Sequence, residues 1–219
     1  MVEVISIHVT KCAGSSLRLA LEQAYAPATV FLMHGDNPAN PISRTNIDPE
    51  GSAERTRQLY EGLDKNVQAI HGHLDVKKFR FISRSVRRIT ILRHPIERTI
   101  SHYYFFRQDH PSGHPIRDYL LRNDLSLLEF ARLPVIKNFY RQVFFGGVDR
   151  SELDFVSSIE ALPQRLPTLC ALLDREISLP RENVGSLRAM SPVISDEVLE
   201  SLANLLTDDI DFYQDWTTA

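Results

Sequence analysis

The chain has no apolar run of the roughly 18 residues needed to cross a membrane, so no transmembrane helix is expected. Two cysteines among 219 residues, Cys12 and Cys170, cannot build a disulfide framework, which sets aside the small stapled folds of oxidising compartments. No strong excess of one charge is present: 25 Lys and Arg against 28 Asp and Glu leave −3, which gives no reason to expect a nucleic-acid partner. Internal repeats, low-complexity tracts and linkers are also missing. The reading is one domain over residues 1–219, with 43% hydrophobic and 24% charged residues, ordinary values for a globular protein. The first strand begins almost at Met1 and leaves no room for a signal peptide, so a cytoplasmic chain is expected.

What is present concentrates in three places. Val2, Val4, Ile5, Ile7 and Val9 form an apolar run that reads as a strand buried on both faces, and Leu17, Leu21, Ala24 and Tyr25 recur at helical spacing behind it. Ser15 or Ser16 is a suitable N-cap. Between strand and helix, Lys11-Cys12-Ala13-Gly14-Ser15-Ser16 supplies a cation, a glycine for close backbone approach, and a helix N-terminus with unpaired N–H groups. These are the parts of an anion cradle. Lys11 and the helix start also favour a lowered thiol pKa for Cys12, which is still read as a loop residue. The lysine precedes the glycine, unlike the nucleoside-triphosphate loop G-x-x-x-x-G-K-[ST].

The second place is Ile89 to Tyr103, a buried strand, Arg93, then a helix opened by Pro95 with Ile96, Ile100 and Tyr103 on one apolar face. Ser101 lies six residues beyond Pro95, about 9 Å along a helix, so one phosphate can touch both Arg93 and Ser101 if strand and helix fold back together. Arg98, one turn into that helix, is read as structural, paired with Glu97 or a neighbouring acid. The third is Val67 to Leu74, a strand ending in His71-Gly72-His73, whose two imidazoles share a face if the extended geometry persists. Histidine suits proton removal near neutral pH. A zinc site at this pair is set aside because no nearby Cys, Asp or Glu completes a ligand set at familiar spacing.

These motifs resemble those of sulfotransferases that use 3′-phosphoadenosine 5′-phosphosulfate (PAPS), most closely the carbohydrate O-sulfotransferase branch. His8-Val9-Thr10-Lys11-Cys12-Ala13-Gly14-Ser15-Ser16 resembles that family's 5′-phosphosulfate loop, with Thr10 for the usual proline and Cys12 for the usual threonine. Leu92-Arg93-His94-Pro95 through Ser101 and Tyr103 resembles its 3′-phosphate motif, with His94 for the usual aspartate. The resemblance implies a three-layer, P-loop-like α/β fold with a central, mainly parallel sheet, and in-line sulfuryl transfer to an acceptor hydroxyl of a carbohydrate, glycoconjugate or small molecule. It implies Lys11 and the loop N–H groups on the leaving 5′-phosphate, His73 as base, and His71 as helper or acceptor contact. No metal is required, and the product is adenosine 3′,5′-bisphosphate (PAP). Ser186 and Arg188, in a late loop, are further candidate cofactor contacts. The missing anchor makes the chain look like a bacterial relative. A P-loop phosphotransferase and a noncatalytic phosphonucleotide-binding module stand as alternatives.

The remaining segments are read more coarsely. Strands are expected near Phe31–His34 and Asp154–Ile159, and helices at Ser52–Leu63, Pro115–Arg122, Ser126–Leu133, Leu162–Leu173 interrupted by Pro163 and Pro167, and from Ser195. Pro134 is expected to open one helix carrying Ile136, Phe139, Tyr140 and Val143, ended by Gly146-Gly147. In it, Asn138 and Gln142 are read as core support. Asn37–Pro41 reads as a loop that can overhang the site. Lys77, Lys78, Arg80, Arg84, Arg87 and Arg88 make a basic run, either a solvated face or a funnel for an anion.

Overall fold

The computed structural model describes residues 1–108, 113–179 and 193–218. In chain order its elements are β1 (Val4–Ile7), α1 (Gly14–Tyr25), β2 (Thr29–Met33), α2 (Arg44–Ile47), α3 (Pro49–Glu61), β3 (Val67–Gly72), β4 (Arg87–Leu92) and α4 (Pro95–Arg107). There follow α5 (Pro115–Arg122), α6 (Leu127–Arg132), α7 (Pro134–Lys137), a π-helical turn (Phe139–Phe144), β5 (Phe155–Ser158), α8 (Leu162–Leu173), α9 (Asp196–Leu205) and α10 (Thr207–Thr217). The five strands form one sheet in the order β2-β3-β1-β4-β5, every neighbouring pair parallel. This is the three-layer α/β architecture expected from the sequence.

Alternation along the strands explains the layers. Val4, Ala69, Ile89, Ile91 and Phe155 pack on one face against Leu17, Leu21 and Tyr25 of α1 and Leu162, Leu169 and Leu173 of α8. Ile5, Ile7, Ile70 and Leu92 face the other way, toward Tyr103 and Phe106 of α4 and an aromatic group including Phe139, Phe144, Phe212 and Trp216. Both faces are covered, so the strands read as continuous apolar runs. From β1 the chain moves to β2 and β3 on one side, then returns to β4 and β5 on the other. Such a reversal opens a crevice past the carboxyl end of the central strand, where ligands of open α/β sheets bind.

Several local expectations are corrected. Neither Ser15 nor Ser16 caps α1; Ala13 does, in a left-handed conformation (φ 56°), and the helix starts at Gly14. The single helix expected from Pro134 breaks at Asn138 and continues as a π-helical turn, because the buried Asp209 carboxylate accepts the N–H groups of Tyr140 (3.0 Å) and Arg141 (3.1 Å). Neither proline interrupts α8. Pro163 occupies its first turn, where no N–H is needed, and Pro167 sits inside the helix. The four-residue α2 and the terminal α10 were not anticipated, although Phe212 and Trp216 of α10 complete the aromatic group. The loop at Asn37–Pro41 is pinned, with Ala39 buried in the core and the Asn46 amide donating to the Pro38 and Asn40 carbonyls.

The basic run is a solvated face at Lys77, Arg80, Arg84 and Arg87, most of it tied down in ion pairs, and is interrupted by two buried cations, Lys78 and Arg88. Lys78 is buried and donates to Asp36 (2.6 Å), Arg80 pairs with Glu152 through two bonds (2.6 and 2.8 Å), and Arg87 pairs with Asp154 (3.1 Å). Arg88 is buried and donates to the carbonyls of Phe79 and Ile82. Arg87 and Arg88 also stand at the amino end of β4, opposite the carboxyl-end crevice.

Candidate functional site

The candidate residues gather past the carboxyl ends of four adjacent strands. His8 and the Lys11 loop follow β1, His34 follows β2, His73 follows β3 and Arg93 follows β4. In the loop, Lys11 and Ala13 both hold positive φ, 68° and 56°. Non-glycine residues adopt this region at a cost of about 1 kcal/mol or more, so the loop shape is imposed by its surroundings. The first helical bond runs from Leu17 N to Ala13 O (3.1 Å), which leaves the N–H groups of Gly14, Ser15 and Ser16 at the open end of α1. Gly14 is required for a reason other than ligand approach: a Cβ there would overlap the His8 ring.

Cys12 turns inward. It is 1% exposed, its Sγ lies 3.4 Å from the Tyr140 hydroxyl, and burial pushes the thiol pKa up to about 11 despite the bond to Tyr140 and nearby arginines. The lowered thiol pKa expected from Lys11 and the helix start is therefore overturned by desolvation. Only the backbone of Cys12 can serve a ligand here.

Helix α4 brings Lys11, Arg93 and Ser101 together. Glu97 accepts from Arg93 Nη2 at 3.2 Å, and the Phe105 ring lies under Lys11 Nζ at 4.1 Å. Residues 97, 101 and 105 are successive i, i+4 neighbours, so Ser101 stands between the side chain that holds Arg93 and the one that holds Lys11. The Lys11 pKa is lowered, first by burial and then by the charge of Arg93. Two mutually repelling, partly desolvated cations with a half-buried hydroxyl between them suit an anion with several oxygens.

Arg98 is structural; of its two expected partners, Glu97 is taken by Arg93, and the acid whose charge acts on Arg98 is the buried Asp209. Arg98 is fully buried, lies over the Phe139 ring at 3.8 Å, and donates to Thr99 Oγ1 (2.8 Å) and the Ile136 carbonyl (3.3 Å). Burial lowers its pKa, while the charge of buried Asp209 opposes that shift.

Four imidazoles meet on the α1 side of the crevice. His8 stacks on His73 at 4.2 Å and on His71 at 5.2 Å, and His34 stands 5.5 Å from His73 and 6.3 Å from both His8 and His71. The expected common face of His71 and His73 is observed. His71, however, is 0% exposed with Nδ1 2.9 Å from Ser6 Oγ, so a direct contact with an acceptor is not open to it. His73 Nδ1 lies 2.7 Å from the His8 carbonyl. A carbonyl only accepts, so Nδ1 carries the proton and Nε2 keeps the lone pair of the neutral ring. Burial first of all lowers these pKa values, to about 2 for His8, about 3 for His71 and about 4 for His73.

The absence of a third zinc ligand near His71 and His73 held only along the sequence. In space, one ligand atom each of His8, His34 and His73 lie within 4.8 Å of one another. The sequence signal at His8 and His34 is their position: like His73, each is the first residue past a parallel strand. Tyr140, Phe105 and Asp209 reach the site from remote positions and carried none. Ser186 and Arg188 lie outside the described residues.

No family model matches the chain, and no curated protein matches it. Similar solved structures include a sulfotransferase from Alicyclobacillus acidocaldarius, 14% identical over 96% of this chain and 93% of that one, with a TM-score of 0.47. A mouse sulfotransferase complexed with PAP is 13% identical, with a TM-score of 0.37. The match to it covers 94% of this chain and 62% of that one, so the chain spans less than two thirds of the mouse protein.

Proposed function

We propose that the protein transfers a sulfuryl group from PAPS to an acceptor hydroxyl, with a carbohydrate or glycoconjugate as the acceptor class. The observation that supports this most directly is the α4 stripe in which Ser101 lies between Glu97 and Phe105, the side chains that hold Arg93 and Lys11, since it brings residues of two separate sequence motifs to one helix face. Bound PAPS supplies an electrophilic sulfuryl group and a bisphosphate leaving group.

The residues divide the work by position. Arg93 offers its remaining guanidinium donors, and Ser101 its hydroxyl, to the 3′-phosphate. Lys11 and the N–H groups of Gly14, Ser15 and Ser16 face the 5′ end, where negative charge grows as the sulfuryl group departs. Preorganised donors of this kind contribute about 3 kcal/mol each, comparable with the 10²–10⁴-fold gain of a general base. His73 presents Nε2 as proton acceptor, its ring fixed by the His8 carbonyl. Its pKa near 4 keeps the ring neutral, and an anionic donor beside it raises the pKa toward the range where accepting a proton costs less. His71 supports this arrangement from beneath through Ser6 and His8.

The test is calorimetric titration with adenosine 3′,5′-bisphosphate, without and with magnesium, followed by transfer of labelled sulfate to hydroxyl acceptors. Magnesium-independent binding that weakens in Arg93→Gln, with transfer lost in His73→Ala at unchanged bisphosphate affinity, is expected. Preference for ATP with magnesium would overturn the assignment in favour of phosphoryl transfer. Binding without transfer to any acceptor would leave a phosphonucleotide-binding module.

A further inference from the structure

We propose that His8, His34 and His73 form a three-imidazole binding site for a late divalent transition-metal ion of the Zn²⁺ class. The site follows from sheet register. Ile7 pairs with Gly72 across β1 and β3, and Met33 pairs with Gly72 across β2 and β3. The next residue on each strand is histidine, so three imidazoles form one row across neighbouring strands spaced about 4.8 Å apart.

The donor atoms are arranged for coordination. One nitrogen from each ring lies within 4.8 Å of the others. Nitrogens around a tetrahedral zinc ion with Zn–N of about 2.05 Å stand about 3.3 Å apart, so side-chain rotations that draw the rings inward by about 1 Å close the set. His73 already donates Nδ1–H to the His8 carbonyl at 2.7 Å, the outer-shell bond that fixes a ligating imidazole and directs Nε2 to the metal. His8 has a buried Nδ1 without a hydrogen-bond partner among the described residues. His71, stacked on His8, walls the site from below, while exposed His34 is the side from which an ion enters.

Three neutral nitrogen donors with no carboxylate or thiolate among them select zinc, copper, nickel or cobalt over magnesium or calcium. Three protein ligands also leave a fourth position for water. Because the ion takes the Nε2 lone pair of His73, occupancy would suppress sulfuryl transfer, a consequence that rests on the function proposed above. Binding itself does not.

The experiment uses the full chain after chelator treatment, without donor or acceptor. Titration with ZnCl₂ is followed by calorimetry, and CoCl₂ by visible absorption. One ion per chain, with the intense ligand-field bands of low-coordinate cobalt, is expected. His34→Ala, a change at an exposed position that leaves the fold intact, should weaken binding by at least about 100-fold, beyond the 10–100-fold typical of outer-shell losses. His73→Gln should do the same, and His94→Ala, outside the row, should not. Absence of stoichiometric zinc binding, or retention of full affinity in His34→Ala, overturns the proposal. Sulfate transfer by the zinc-free protein is assayed separately, so failure of the metal site and failure of the transferase reading give different results.

Discussion

Tyr140 donates its phenolic proton to the Arg93 carbonyl at 2.6 Å and accepts the N–H of the same residue at 3.2 Å. Its oxygen also lies 3.4 Å from Cys12 Sγ. One buried hydroxyl therefore ties the loop after β1 to the end of β4, the two places that carry Lys11 and Arg93. The π-helical turn positions it, and Asp209 holds that turn by accepting its N–H groups. Asp209 of α10 thus supports the turn whose tyrosine joins the segments that carry Lys11 and Arg93.

Tyr140→Phe should lose about 1–2 kcal/mol of stability, since both Arg93 backbone groups lose a partner. Bisphosphate affinity should fall about fivefold or more through looser spacing of Lys11 and Arg93. Chemical denaturation and calorimetry measure the two effects, and unchanged affinity would show that the tether does not set the spacing.

Asp209→Ala removes a buried carboxylate that serves two N–H groups and faces the charge of Arg98. Breaking such an arrangement costs about 3–5 kcal/mol, so the urea midpoint should drop sharply. An unfolding free energy within about 1 kcal/mol of the parent would contradict this role.

Gly14→Ala should destabilise the start of α1, because the added Cβ overlaps His8. His8→Ala in the same chain should recover most of the loss. The double-mutant cycle isolates that coupling, and additivity of the two changes would argue against it.

Ser101→Ala should weaken bisphosphate binding by about 10- to 100-fold, the value of one hydrogen bond to a charged group, without altering thermal stability. Arg93→Gln should weaken it further. Equal effects of the two would indicate that Ser101 does more than assist the arginine.

Stability should fall with acid well before the carboxylates titrate. His8, His71, His73 and His102 have native pKa values far below 6.5, with burial as the leading cause, whereas in the unfolded chain they take up protons near that value. Their contribution is complete above about pH 6.5 and is lost as pH falls toward the native values. The urea midpoint should therefore decline between about pH 7 and about pH 4.5. His102→Phe, in its aromatic surroundings of Phe106, Phe130 and Phe139, should flatten that slope. A pH-independent midpoint would contradict this account.

Much of the frame was legible because it depends on local pattern. The runs at Val4–Ile7, Val67–Gly72 and Ile89–Leu92 are largely buried on both faces and carry no competing period, so they read directly as strands, although β4 begins two residues earlier, at Arg87. Pro95 and Pro115 mark helix starts through a missing N–H, and the strand-end positions of Lys11 and Arg93 follow from the same punctuation. The break at Asn138 was hidden because its cause is a carboxylate some 70 residues away. The solvated character of the basic run was legible at Lys77, Arg80, Arg84 and Arg87, but the burial of Lys78 and the ion pairs were not, because the partners Asp36, Glu152 and Asp154 are brought in by other elements.

By itself the sequence determined the alternation of strands and helices, the cationic loop, the arginine-to-serine spacing and the paired histidines, because each is a matter of residue type at fixed local separation. Only the tertiary structure decided what those residues face. It buried Cys12 against Tyr140 and raised its pKa, gave Glu97 to Arg93 instead of Arg98, and brought Lys11 onto Phe105, one turn of α4 beyond Ser101. It also joined His73, one of the paired histidines, to His8 and His34 in a row of three strand-end imidazoles. Desolvation and strand register produce these outcomes, and both are properties of segments brought together from distant parts of the chain.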